Sequence, residues 1–166
     1  MPYPDIEVGD LVTADLLTSL QPLTAIKAVD ESVTSSAVNQ PDDELALEVE
    51  ADATYLFTGW IIYNSASTTP DLRANFTLPT GATFKREGIG QPNAATVVAG
   101  TVDTGVNTTG TNDGRGAISS ELGIQYSGFL ITDDAGTFRF SWSQVTSDAN
   151  AVVVKAGSWI RLDRIA

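Results

Sequence analysis

The 166-residue chain carries 21 acidic against 9 basic side chains, a net charge of −12, with 42% hydrophobic residues and neither cysteine nor histidine. It is long enough to bury one core without crosslinks, and the missing cysteines leave the redox compartment open. Without histidine the usual general base, the commonest metal ligand and the physiological pH switch are gone; most hydrolase and metalloenzyme templates close, leaving carboxylates, hydroxyls and three lysines for chemistry.

No run of roughly 18 apolar residues occurs, so no membrane-spanning helix is expected. The opening MPYPDIEVGD lacks a basic region followed by an apolar one, so no secretory signal is expected. The protein is then expected to remain in the cell that makes it, or to leave by lysis inside a larger particle. Charge is unevenly placed. Residues 1–52 hold twelve acidic groups and one lysine, a net −11, whereas 53–166 are nearly balanced at −1. That distribution argues against a nucleic-acid partner, which requires basic surface. It suits either a solvated, self-repelling face or docking onto a basic partner.

VGDLVTADLLTSLQP contains the one plausible helix. Thr13 is its candidate cap, Asp15 suits the positive end, Leu16, Leu17 and Leu20 share a face, and Pro22 stops it. At about two turns it is unstable alone, so it either covers an end of the β-domain or grips a neighbouring chain. Strand-like segments follow at Leu23–Val29 and Val33–Val38, then a turn cluster at Asn39-Gln40-Pro41-Asp42-Asp43. Leu45, Leu47 and Val49 alternate with Ala46, Glu48 and Glu50, a half-buried strand.

Thr54–Asn64 is apolar on both faces, with Tyr55, Phe57, Ile61 and Tyr63 on one side and Leu56, Trp60 and Ile62 on the other. Such a strand is expected to be covered twice: by the core, and by a loop, the helix or another subunit. Asp71–Leu78 and Ala82–Arg86 flank Pro79-Thr80-Gly81. Ala94–Ala99 reads as a strand, and Thr101–Gly116 as a long exposed loop. Glu121–Thr132 and Thr137–Thr146 flank Asp133-Asp134-Ala135-Gly136, read as a hairpin turn with Gly136 left-handed. Phe138, Phe140 and Trp142 alternate with Arg139, Ser141 and Ser143. After a turn at Ser147–Asn150 come Val152–Val154, Gly157 and a last strand, Ser158–Ile165. About nine to ten strands at this spacing predict an all-β fold, an antiparallel β-sandwich that is jelly-roll-like. The organisation expected is an arm with a short helix at 1–22 and a sandwich at 23–166.

Candidate chemistry is sparse. The carboxylates of Asp42-Asp43-Glu44 and Asp133-Asp134 fall in expected turns, where aspartate is favoured for backbone reasons. Asp103, Asn107, Asn112 and Asp113 offer oxygen ligands for a hard cation, but with no EF-hand spacing. Asn75 and Asn107 fit the glycosylation sequon, which without a secretion signal reads as coincidence. Trp60, Trp142 and Trp159 lie in expected strands, where core or subunit interface outweighs a sugar platform. No cofactor, metal site or enzyme is expected.

Several segments resemble small β-sandwich virion proteins of actinobacterial tailed phages, known as minor tail or head decoration/fibre proteins. They are VGDLVTADLLTSLQP (8–22), residues 33–64 with LALEVEADATY, DLRANFTLPTGATF (71–84), and Ala135 to the C-terminus with KAGSWIRLDRIA. Gly88–Gly116 matches no part of the pattern. The resemblance implies no active site to carry over. It implies display on a virion as a trimer, attached by the N-terminal segment to major capsid or tail subunits.

The expectation is therefore a non-enzymatic virion structural protein, a capsid decoration protein, with a minor tail or tail-tip protein that binds a host-surface receptor or glycan as the alternative. Leu16, Leu17, Leu20, Trp60 and Ile62 are its expected contacts; membranes and nucleic acid are not expected partners. The acidic N-terminal region makes attachment sensitive to salt. Co-sedimentation with particles at rising ionic strength should show progressive release; indifference to salt would leave only an apolar grip by the three leucines.

Overall fold

The computed structural model describes residues 8–9, 11–91, 106–108 and 113–166, with backbone alone at 15, 19 and 106–108. Helix α1 (Ala14–Ser19) precedes β1 (Leu23–Ile26), β2 (Glu31–Val33), β3 (Gln40–Val49), β4 (Ala53–Ser65), β5 (Leu72–Thr77) and β6 (Thr83–Ile89). Then come β7 (Val106–Thr108), β8 (Asp113–Arg115), β9 (Leu122–Thr132), β10 (Gly136–Gln144), β11 (Val152–Val154) and β12 (Trp159–Arg164).

Antiparallel pairing is nested: β3 with β10, β4 with β9, β5 with β8, and β6 with β7. This is one long hairpin of eight strands rolled up, so that strands adjacent in sequence between β3 and β6 fall in opposite sheets. The smaller sheet has the order β3-β10-β5-β8. The larger runs β1-β12-β4-β9-β6-β7, with β11 and β2 attached beside β4. The expected sandwich is therefore a jelly roll.

β4 is the spine. From Ala53 to Tyr63 it pairs with β9 on one edge. On the other edge β12 takes Tyr55–Trp60 and β11 takes Tyr63–Ser65. Its inward residues meet the other sheet in an aromatic cluster. Phe57, Phe84 and Tyr126 from the large sheet face Phe76, Phe138 and Phe140 from the small one, with ring centroids 5.0–6.3 Å apart. Edge-to-face pairs of this kind add about 0.5–1.5 kcal/mol each beyond area burial. The buried Arg86 guanidinium lies over the Phe76 and Tyr126 rings at 5.1 and 5.4 Å.

Four expectations change. The cluster 39–43 is not a turn: its residues from Gln40 on begin β3. There the register slips against β10, and Asp42 Oδ1 accepts from the Leu45 and Glu44 N–H groups at 2.9 and 3.0 Å. The side chain thus holds a bulge in an edge strand, where Pro41 is tolerated. Val33–Val38 is not a strand beyond Val33, because Ser35 sits at φ 54. Asp133–Gly136 is no hairpin: β9 and β10 lie in different sheets, and Gly136 is not left-handed, a role taken by Gly81 at φ 75 in the turn beside it. Residues 101–116 include two strands, and Asp113 and Arg115 are buried. Ala94–Ala99 lies outside the described residues. Twelve strands are found among those described.

Two buried charge clusters join the sheets. Lys27, just past β1, is 1% exposed. Its ammonium lies 2.8 Å from Glu31, 2.9 Å from Asp42 and 3.7 Å from Glu44. At the other cluster Arg115 donates to Asp113 and to the Gly88 carbonyl, both at 2.9 Å, while Tyr126 donates to Asp113 at 3.1 Å. Burial pushes the Lys27 ammonium pKa down, but hydrogen bonds to Glu31 and Asp42 outweigh it and hold the value above 10.5. A raised lysine pKa stabilises fully below its unfolded value, and that contribution is lost as pH rises through the folded one.

Lys27→Met, which leaves buried carboxylates uncompensated, should cost about 3–5 kcal/mol in urea unfolding at pH 7. The deficit relative to the unaltered protein should shrink above pH 10.5. A deficit unchanged across that range would mean that packing, not charge, accounts for the loss.

Candidate functional site

Alternation along the large sheet sends every second residue to its outer face, away from the aromatic core. Register then orders these residues into rows across the strands. One row reads Ile26, Trp159, Trp60, Gln125, Ile89, running from β1 through β12, β4 and β9 to β6. The next reads Thr24, Arg161, Thr58, Ser127, Glu87. The third reads Asp163, Leu56, Phe129, Lys85.

The outer face of an antiparallel sheet is ordinarily polar. Here Ile26 is 64% exposed, Leu56 49% and Trp60 39%. Trp60 lies down on the sheet because Gly123 leaves room for it: a Cβ there would meet the indole Cζ2 at 2.2 Å. Its ring borders a shallow depression of about 480 Å³ shared with Thr58, Gln125, Ser127 and Trp159. Arg161 and Asp163 pair along β12, Nε to Oδ2 at 2.9 Å, which raises the guanidinium pKa.

The expected contact residues divide between two surfaces. Trp60 is open on the outer face, whereas Ile62, half-buried on the same face, packs beside the β11–β12 turn at Gly157. Trp142, by contrast, is wholly buried. The leucines belong to α1, where the Thr13 hydroxyl accepts from the Leu16 N–H at 3.2 Å, the cap anticipated from sequence. Leu16 is half-buried, while Leu17 and Leu20 are exposed, as are Val8, Leu11 and Val12 before them. Thr18 and Gln21 border a groove of about 350 Å³ against Glu48, Glu50, Tyr55 and Arg164. Arg164 reaches Glu50 at 2.6 Å and holds that carboxyl below its ordinary range.

The other candidates are otherwise engaged. Asp42 serves Lys27 and the bulge, and Asp113 serves Arg115 and Tyr126; Asp103 and Asn112 lie outside the described residues. Asn75 lies within β5 and accepts from the Phe76 N–H at 2.8 Å. Sequence reading passed over Lys85, Glu87, Arg161 and Asp163. Their signature was legible: two pairs of opposite charge at i, i+2, each straddling a residue that faces inward.

The class defined by these features is a two-sheet jelly roll whose outer face sets exposed apolar side chains among charged and polar ones. No protein-family profile matches the sequence, and no curated protein does. Among solved structures the chain is similar to the tripod from the baseplate of bacteriophage Tuc2009. That match has 16% identity and a TM-score of 0.33, over 98% of this chain and 74% of that one. It is also similar to the VP2 subviral particle of infectious bursal disease virus, with 12% identity and a TM-score of 0.28, over 88% and 37%. At these values the likenesses carry no argument about what the chain does.

Gly123→Val should expel the Trp60 indole from the sheet, with a red-shifted tryptophan emission and a loss of about 1–3 kcal/mol. Unchanged emission would mean that the ring does not rest there.

Proposed function

We propose that the chain is a non-enzymatic structural protein of a tailed-phage virion, a capsid decoration protein held by its N-terminal region while the sandwich projects outward. The observation that carries this reading is the exposed apolar series Val8, Leu11, Val12, Leu17 and Leu20, in a segment that also carries acidic charge. Apolar side chains repeatedly left in water mark a contact surface. The reading is also supported by the resemblance of 8–22, 33–64, 71–84 and 135–166 to virion proteins. Jelly rolls build virus coats but also lectins and cupins, so the fold by itself assigns no role.

The alternative is a minor tail protein that grips a host-surface glycan. The depression between Trp60 and Trp159, with Thr58, Gln125 and Ser127 at hand, favours it, because indole faces stack on sugar rings while polar side chains orient the hydroxyls.

Immunogold labelling of intact particles decides between them. Gold over heads supports decoration, gold over tails supports the alternative, and a purified particle lacking the protein overturns both. Leu17→Asp with Leu20→Asp should leave the circular dichroism spectrum unchanged and weaken binding to undecorated capsids by about tenfold or more.

A further inference from the structure

The three rows on the outer face have a symmetry of their own. Between β4 and β9 runs a line parallel to the strands. A half-turn about an axis along that line, in the plane of contact, brings one copy of the face over another, β12 lying on β6 and β4 on β9. The middle row then sets Arg161 opposite Glu87 and Thr58 opposite Ser127. The third row sets Asp163 opposite Lys85 and Leu56 opposite Phe129. In the aromatic row Trp159 meets Ile89, and Trp60 meets Gln125, an indole against an amide.

We propose that this face packs against the same face of a second copy about that two-fold axis. Opposite charges meet twice on each side, and apolar meets apolar at Leu56 with Phe129 and at Trp159 with Ile89. An axis running across the strands also pairs opposite charges, but it places Thr58 on Leu56 and Ser127 on Phe129. Moving the axis by one strand leaves Glu87 or Arg161 without its opposite. Of these placements the chosen axis alone pairs all four charges while keeping Leu56 on Phe129, which is the self-complementarity an isologous interface requires.

The physical drive is ordinary sheet-on-sheet packing. Leu56 and Trp60 leave water as the two outer faces close to about 10 Å. Arg161 and Asp163 are 45% and 36% exposed in the single chain, open enough to be shared with a partner. The pairing is independent of where on a particle the protein resides. It also differs from the trimer implied by resemblance, since a two-fold contact closes at two copies.

Sedimentation equilibrium of the full chain tests this. A species of twice the 17.5 kDa chain mass is expected at micromolar concentration. Trp60→Glu, at an exposed position, should yield a folded monomer. Arg161→Glu and Glu87→Arg should each weaken self-association about tenfold, and the two together should restore it to within about threefold. The proposal is overturned by a monomer at every concentration, by a three-copy species, by indifference to Trp60→Glu, or by a double variant as weak as the singles. Quenching of tryptophan emission by a pyranose oligosaccharide in a monomeric protein would assign the face to sugar and overturn it as well.

Discussion

β4 is hydrogen-bonded along both edges, by β9 from Ala53 to Tyr63 and by β12 and β11 in succession. A strand held from both sides cannot slip, because a one-residue shift would carry Tyr55, Phe57, Ile61 and Tyr63 into water and Leu56 and Trp60 into the core. Every other feature follows from that fixed parity. It aims Phe57 into the ring cluster that joins the sheets, and it sets the rows on the opposite face. The C-terminal strands β11 and β12 matter for the same reason: they close an edge that an eight-strand roll would leave unpaired.

The buried charges act at the joints of the roll. Lys27 follows a strand of the large sheet and contacts Asp42 in the small one; Arg115, in the small sheet, contacts Gly88 in the large one. Buried ion pairs contribute little net stability compared with apolar groups of equal volume, but losing one partner is severe. Their effect is to penalise alternative registers, in which a carboxylate would be buried without its cation. Gly88 belongs to this arrangement, since a Cβ there would approach Tyr126, Arg115 and Asp113 within 3 Å. The roll is stapled by charge at its joints and by aromatic rings at its centre, and it carries two distinct surfaces.

Those surfaces differ in kind. The N-terminal segment offers a series of exposed apolar side chains beside carboxylates. The outer sheet face offers an ordered array in which apolar, polar and charged rows succeed one another. The role proposed for the first is anchorage on a larger partner, and for the second pairing with an equal one.

Alternation in the chain was enough to establish the all-β class, the span of β4, the inward-facing aromatics of β10 and the Thr13 cap, because each depends on neighbours within a few positions. It also marked Trp60 as facing away from the core. It was misled wherever a residue's partner lay far along the chain. Asp42 looked like a turn former because Lys27, which it neutralises, lies fifteen positions earlier and arrives from the other sheet. Asp133–Gly136 looked like a hairpin because a short polar link between two strands reads the same whether they pair or part. Arg161 and Glu87 showed no relation until strand order laid them in one row, on either side of Thr58 and Ser127. Sequence alone thus determined which residues face inward, a local property of the pleat. Only the tertiary structure decided which strands meet and so which outward residues form a surface, because sheet order is set by contacts between distant segments.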